Sequence, residues 1–346
     1  MDHEEHKKHF NNPAWVAYLH PYTFVIPDGE QPLKVELSEI NSNTYNYGKL
    51  CRLTGSADIP NFPFKLLICY DGALAIPKAG IYAEKEKAVD FFNTTFCELM
   101  LGGFYCEGID RKDIVNGQLY QQFAIWPVDL GNSATSNLNS KLRMRLGGTM
   151  DTITLSNPNS ITISQFHNYR QKGHEILSQI TNLTPKFLVK GITEIRYKNW
   201  DLVLSNLWIT VEQLVDFIWH HQFLKNEVLH PAIKIDGRID SLKDDNRTWS
   251  TSVKQEILFQ AKIIDEDIIG KLHPARKARN KLVHEGRNVS KNIAIDLFET
   301  VQLLINKITG YDLRQLKLNP SVDWDSRGDT ANFSDDYFDK WKNIEL

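Results

Sequence analysis

The chain has 346 residues, 42% of them hydrophobic and 24% charged, with a formal net charge of −3. That balance belongs to a folded globular chain with room for two domains. It excludes a protein that coats nucleic acid over its whole surface but permits a local basic patch.

The N-terminus, Met1 to His6, has no apolar core and does not read as a signal peptide. His3, His6 and His9 stand at three-residue steps, a spacing open to metal ligation, in a polar end that is expected to fray. No run of about 18 apolar residues occurs, so no membrane span is expected. Cys51, Cys69, Cys97 and Cys106 form no Cys-x-x-Cys pair. They are expected to be reduced and buried, which points to a reducing, cytoplasmic setting.

Residues 1–165 read as an α+β domain with a mostly antiparallel sheet and one main helix. Thr23–Ile26, Leu66–Tyr70, Gln122–Trp126 and Thr152–Leu155 are short, β-branched or aromatic, and bounded by turn formers, which predicts strands. Ala88, Phe91, Phe92, Thr95, Phe96 and Leu99 keep helical spacing over 84–101, and Gly102-Gly103 stops the helix. Phe62, Phe64, Tyr70, Phe104, Tyr105 and Trp126 are expected in the core. Neither Gly102-Gly103 nor Gly147-Gly148 has the flanks of a nucleotide loop, and no cofactor is expected.

From 166 to 310 helical periodicity takes over, and a bundle of four or five helices is expected. Leu204, Leu207, Trp208, Val211, Leu214, Val215 and Ile218 form one wide apolar stripe. Ile293, Leu297, Phe298, Val301, Leu304, Ile305 and Ile308 form another, ended by Gly310. A shorter helix is predicted over 252–263. Another is predicted over 273–285, with Pro274 in its first turn and Gly286 as its stop. Residues 311–346 carry eight acidic side chains against five basic ones, with scattered aromatics. They read as an acidic tail.

The segment 271–291 holds Lys271, Arg276, Lys277, Arg279, Lys281, Arg287 and Lys291 against the single acid Glu285. Phosphate is the ligand such a concentration of donors suits. Arg279 and His284 are five residues apart, hence about 140° apart around a helix and about 7.5 Å along it. They do not share one narrow face, but can converge on a substrate at a helix end or between helices. Arg279 offers a permanent forked donor and His284 a proton carrier near neutral pH. An ion pair for Arg279 and a helix-end role for His284 would satisfy the same residues without chemistry. His220, His221 and His230 read as capping or interface residues.

Arg279-Asn280-Lys281-Leu282-Val283-His284 resembles the Arg-polar-x-x-x-His signature of HEPN ribonuclease domains. The placement is similar too, near the end of a helix that a glycine and another amphipathic helix follow. The region 200–309 resembles HEPN modules of bacterial defence proteins, and the helix ending at Leu101-Gly102-Gly103 looks like part of the domain that often precedes them. The resemblance implies an all-α HEPN-like bundle after the α+β domain. It implies a metal-independent endoribonuclease that acts by 2′-hydroxyl attack, leaving a 2′,3′-cyclic phosphate and a 5′-hydroxyl. Arg279 and His284 would be catalytic, Asn280 would orient one of them or contact RNA, and Glu212 would position Arg279. Arg276, Lys277, Lys281 and Arg287 would bind the RNA, a transfer or messenger RNA. The family further implies a homodimer through this domain and a toxin-like or antiviral role. The N-terminal domain would then sense a regulatory or phage-derived ligand. The alternative expectation is a non-catalytic HEPN scaffold for dimerisation or for RNA or partner binding.

Overall fold

A computed structural model describes residues 12–225 and 249–313. The expectations for His3, His6, His9, His230 and nearly all of the acidic tail lie outside the described residues.

Six strands form one antiparallel sheet in the order β3-β4-β5-β1-β6-β7. They are β1 (Pro13–Tyr18), β3 (Leu53–Asp58), β4 (Lys65–Cys69), β5 (Ala73–Pro77), β6 (Val115–Tyr120) and β7 (Ala124–Pro127). Alternation along β1 decides its two faces. Ala17 joins the core beneath the long helix, whereas Ala14, Val16 and Tyr18 join a cluster on the opposite face. The sheet curls until its edges meet: Arg52 bridges Ala124, and the Leu53 amide donates to the Phe123 carbonyl at 2.7 Å. Two further strands, β2 (Thr23–Ile26) and β8 (Asn159–Thr162), pair in parallel.

Eleven helices accompany the strands among the described residues: α1 (Leu37–Ser42), α2 (Tyr47–Cys51), α3 (Lys85–Leu101), α4 (Ala134–Met144), the single turn α5 (Thr149–Thr152), α6 (Ile163–Leu177), α7 (Pro185–Arg196), α8 (Trp200–Ile218), α9 (Thr251–Gln260), α10 (Glu266–Glu285) and α11 (Lys291–Thr309). Helix α3 is the hub. It is buried on most of its circumference because the sheet lies on one side and α6 and α7 lie on the other. One apolar cluster therefore runs from Leu66 and Ile68 through Phe92 and Phe96 to Leu207 and Leu297, across residue 165 without a break. The four cysteines are free and buried.

Three expectations about the first half need correction. Thr152–Leu155 is not a strand: Thr152 ends α5, and Ile153–Ser156 forms a 3-10 turn. The Thr152 hydroxyl bonds the Gly148 and Thr149 carbonyls at 3.1 Å, and the Asp151 carboxylate accepts from the Gly148 amide at 3.1 Å. These local bonds displace a strand ladder. The strand expected from Gln122 begins instead at Ala124, because Gln121 and Gln122 adopt φ of 44° and 60° in a turn. Helix α4 was not anticipated. Ser133 caps it, accepting from the Ser136 amide at 3.1 Å, and its polar sequence hides a periodicity that buries Leu142 and Arg143.

The helical part has six helices among the described residues, α6 to α11, rather than four or five. Helix α8 carries the stripe read from Leu204 to Ile218, and those residues are buried. A π-turn, Trp219–Phe223, extends it to 24 residues, and its most apolar 18-residue stretch has a mean hydropathy of 1.2, long and apolar enough to cross a membrane. Most of its apolar residues pack against α7, α9, α10 and α11, while Leu202 remains exposed. Helix α10 starts seven residues before the expected His273. Asp265 caps it, accepting from the Ile268 amide at 2.9 Å. Pro274 thus lies inside the helix and not in its first turn. The site tolerates it because Pro274 and Gly270, whose carbonyl loses its helical partner, are both exposed to solvent.

Candidate functional site

Helix α10 is amphipathic in an unequal way. Ile268, Leu272 and Ala275 are buried, Ala278 and Leu282 pack against the core, and the remaining circumference is open. Gly286 ends the helix at φ 64°, where a residue without a Cβ fits best. The loop that follows is pinned to α8, because the Val289 amide donates to Asp201 Oδ1 at 2.6 Å.

The open side presents His273, Lys277, Asn280 and His284 at steps of four, three and four residues, all exposed. Arg276 and Lys281 flank this row. Arg279 lies toward the buried stripe and is partly exposed. Val283, between Arg279 and the outer row around the axis, leaves 58% of its surface in solvent.

The ion pairs sort the cations. Lys271 is spent on Asp267 and Glu299, at 3.0 and 3.1 Å, and Arg287 on Glu285 at 2.7 Å. Arg276, Lys277, Arg279 and Lys281 have no carboxylate partner among the described residues. Arg276 Nη2 comes within 3.4 Å of His273 Nδ1, and Arg279 Nη1 within 3.5 Å of Asn280 Oδ1, a long bond that leaves the guanidinium available.

No hydrogen bond joins Arg279 to His284 within the chain. Glu212 is not a partner of Arg279 either. It accepts from Trp208 Nε1 at 2.8 Å and faces a cavity of about 500 Å³ with Asn182, Asp216 and Lys254. Lys254 there donates to Asp216 Oδ1 at 2.5 Å. Arg279, Asn280 and His284 thus share a helix, whereas Glu212 belongs to another cluster. Of the remaining histidines, His220 lies 3.5 Å from Asp216, and the His221 ring stacks on Phe217 at 4.2 Å.

Two polar clusters went unseen in the sequence. In one, the buried Glu107 accepts from the Tyr197 hydroxyl at 2.7 Å and lies 3.1 Å from Arg196 Nη1 and 3.6 Å from His20 Nε2. Burial pushes the Glu107 carboxyl up. Burial, and then the Arg196 charge, pull His20 down to about 4. In the other, the buried Glu98 holds Arg170 and His174 at the wall of an open cleft. Both clusters join residues at least 70 positions apart, and only the lone Glu98 in an apolar stretch of α3 hinted at either of them. No group of three or more His, Cys, Asp or Glu side chains among the described residues is placed to hold a metal ion. No protein-family model, no curated protein and no solved structure matches the chain.

Proposed function

We propose that the helical half is an RNA-cleaving module of the HEPN type that works through α10. The observation that carries this reading is the open face of that helix. Arg276, Lys277 and Lys281, without carboxylate partners among the described residues, lie in or beside an exposed row that ends in His284, and Arg279, also without one, stands to its side. A chain of net charge −3 has concentrated uncompensated positive charge on one helical face, and a polyphosphate strand is the ligand that neutralises such a face.

The chemistry follows from the residue types. The His284 imidazole takes the proton of an RNA 2′-hydroxyl while its oxygen attacks the adjacent phosphorus. The bond from phosphorus to the 5′-oxygen breaks, and that oxygen takes a proton from solvent and leaves as a hydroxyl, while the His284 imidazolium returns its proton to solvent. The Arg279 fork holds the two non-bridging oxygens as charge builds on them. Since Arg279 and His284 diverge within one helix, the arrangement requires two copies to meet through α10, with Arg279 of one facing His284 of the other. Val283 supplies an apolar contact at the centre of that face.

The same divergence favours a second reading, a helical module that binds RNA without cutting it. An end-labelled single-stranded RNA incubated with the full chain in EDTA separates the two. Fragments ending in 2′,3′-cyclic phosphate support the nuclease. Salt-sensitive binding with intact RNA supports the binding module.

A further inference from the structure

A second site lies where the curled sheet meets the first helix of the helical part. Helices α3 and α6 cross there at very close range. A Cβ on Gly173 would fall 1.7 Å from the Glu98 carbonyl oxygen, and one on Gly102 would fall 1.9 Å from that of Tyr169. Two glycines, one on each side, let the backbones touch. The contact sets the α6 side chains next to Glu98, which is 4% exposed on an otherwise apolar stretch of α3.

Glu98 divides its two oxygens. Oε2 accepts from Arg170 Nε at 2.9 Å, and Oε1 lies 2.9 Å from His174 Nδ1. A buried carboxylate costs several kcal/mol to desolvate, and its partners do no more than offset that cost. A plain helix crossing would be served as well by apolar side chains. What the carboxylate achieves is orientation. An ionised Glu98 accepts at Nδ1 of His174, which leaves the other ring nitrogen, Nε2, clear of it, and it fixes the guanidinium plane of Arg170. Arg170 Nη1 also reaches the Asp58 carbonyl at 3.4 Å, tying α6 to β3, while Nη2 has no hydrogen-bond partner among the described residues.

These groups open into a cleft of about 380 Å³ with Ser56, Lys65 and His167 on its walls. Asp58 lines it as well, and its cationic donors are Arg170 and Lys65. The Lys65 ammonium is 3.7 Å from Asp58, whose side chain is 91% exposed, so the pair is loose and screened. We propose that this cleft between β3, β4 and α6 binds a small molecule through its phosphate group, with Arg170, His174 and Lys65 as the three contacts. The phosphate oxygens accept from Arg170 on α6 and from Lys65 on β4, while His174 Nε2, whose Nδ1 is engaged by Glu98, accepts from a phosphate hydroxyl. The cleft volume falls in the range that accommodates a mononucleotide. The site shares no residue with α10 and does not depend on RNA cleavage.

The test is calorimetric titration of the full chain with inorganic phosphate, with adenosine 5′-monophosphate and with adenosine. Saturable binding of the two phosphates and none of adenosine is expected. His174→Gln and Lys65→Ala replace exposed side chains and leave the fold intact. Each is expected to weaken phosphate binding tenfold or more. The chain carrying both Lys277→Ala and Lys281→Ala is expected to keep full affinity. Absence of saturable phosphate binding, or adenosine binding as tightly as its monophosphate, overturns the proposal. So does unchanged affinity in the His174 and Lys65 variants, or affinity that falls only in the α10 variant.

Discussion

Gly173 and Glu98 touch through their backbones: there is no room at Gly173 for even one methyl group before it meets the Glu98 carbonyl oxygen at 1.7 Å. The obstacle is backbone on a buried helix, so no side-chain rotation can relieve it. Gly173→Ala is expected to push α6 off α3 and to cost at least about 1–3 kcal/mol, the usual range for overpacking. A lowered urea midpoint with an unchanged slope is the readout. Wild-type stability would mean that the two helices are not in contact there.

The pair formed by Asp71 and Arg143 plugs the interior of the curled sheet. Both side chains are fully buried, with Nε and Nη2 bonded to the two carboxylate oxygens at 2.6 and 2.7 Å. Arg143 also donates to the Ile125 carbonyl at 2.9 Å, which fastens α4 to β7. Arg143→Met leaves the carboxylate unpaired and is expected to cost about 3–5 kcal/mol. The double variant Asp71→Leu, Arg143→Met is expected to be more stable than Arg143→Met alone, as read by thermal or urea denaturation. Simple addition of two destabilisations would contradict this account of the pair.

His20 makes stability depend on pH in a definite direction. Its folded-state pKa lies near 4, below the ordinary 6.5, because it is buried and because Arg196 already supplies the positive charge beside Glu107. As pH falls through 6.5 the unfolded chain takes up a proton that the folded chain refuses, so stability drops until about pH 4. Glu107 opposes this, since its raised folded pKa lets the native state gain a proton first on acidification. His20→Gln removes only the first effect. The variant is expected to lose less stability than the wild type between pH 6.5 and 4. Identical profiles would show that His20 is not held neutral.

The sequence carried the elements that local spacing determines. The apolar stripes of α8 and α11 run at helical period and are buried, apart from Ile293 and Ile308 of α11, which are half-buried. Gly286 and Gly310 stop their helices at φ 64° and 73°. What it could not carry was long-range closure. Nothing local tells Arg52 that it will bridge Ala124, or Glu98 that His174, 76 residues on, will arrive beside it. Pro274 misled for the opposite reason. A local rule placed it at a helix start, while the Asp265 cap and the buried Ile268 and Leu272 began the helix earlier. The candidate residues on α10 were legible as a basic run, but the neutralisation of Lys271 and Arg287 by Glu299 and Glu285 needed geometry. So did the separation of Glu212 from Arg279.

Lys277 and Lys281 are exposed on α10 and have no carboxylate partner among the described residues. If they meet phosphates, replacing each with alanine weakens RNA binding without regard to sequence. The slope of log affinity against log salt then shrinks by about 0.7 for each phosphate of the single strand that is no longer neutralised. Filter binding at several salt concentrations reads this. An unaltered slope would take the RNA off this face.

The nuclease reading is tested most directly by complementation in EDTA. Arg279→Ala and His284→Ala, each folded like the wild type, are predicted to be inactive alone on a labelled single-stranded RNA. An equimolar mixture is predicted to regain cleavage, because one of the two sites in a mixed pair then has both residues intact. Cutting by either variant alone at the wild-type rate, or no cutting by the wild type, would contradict the account.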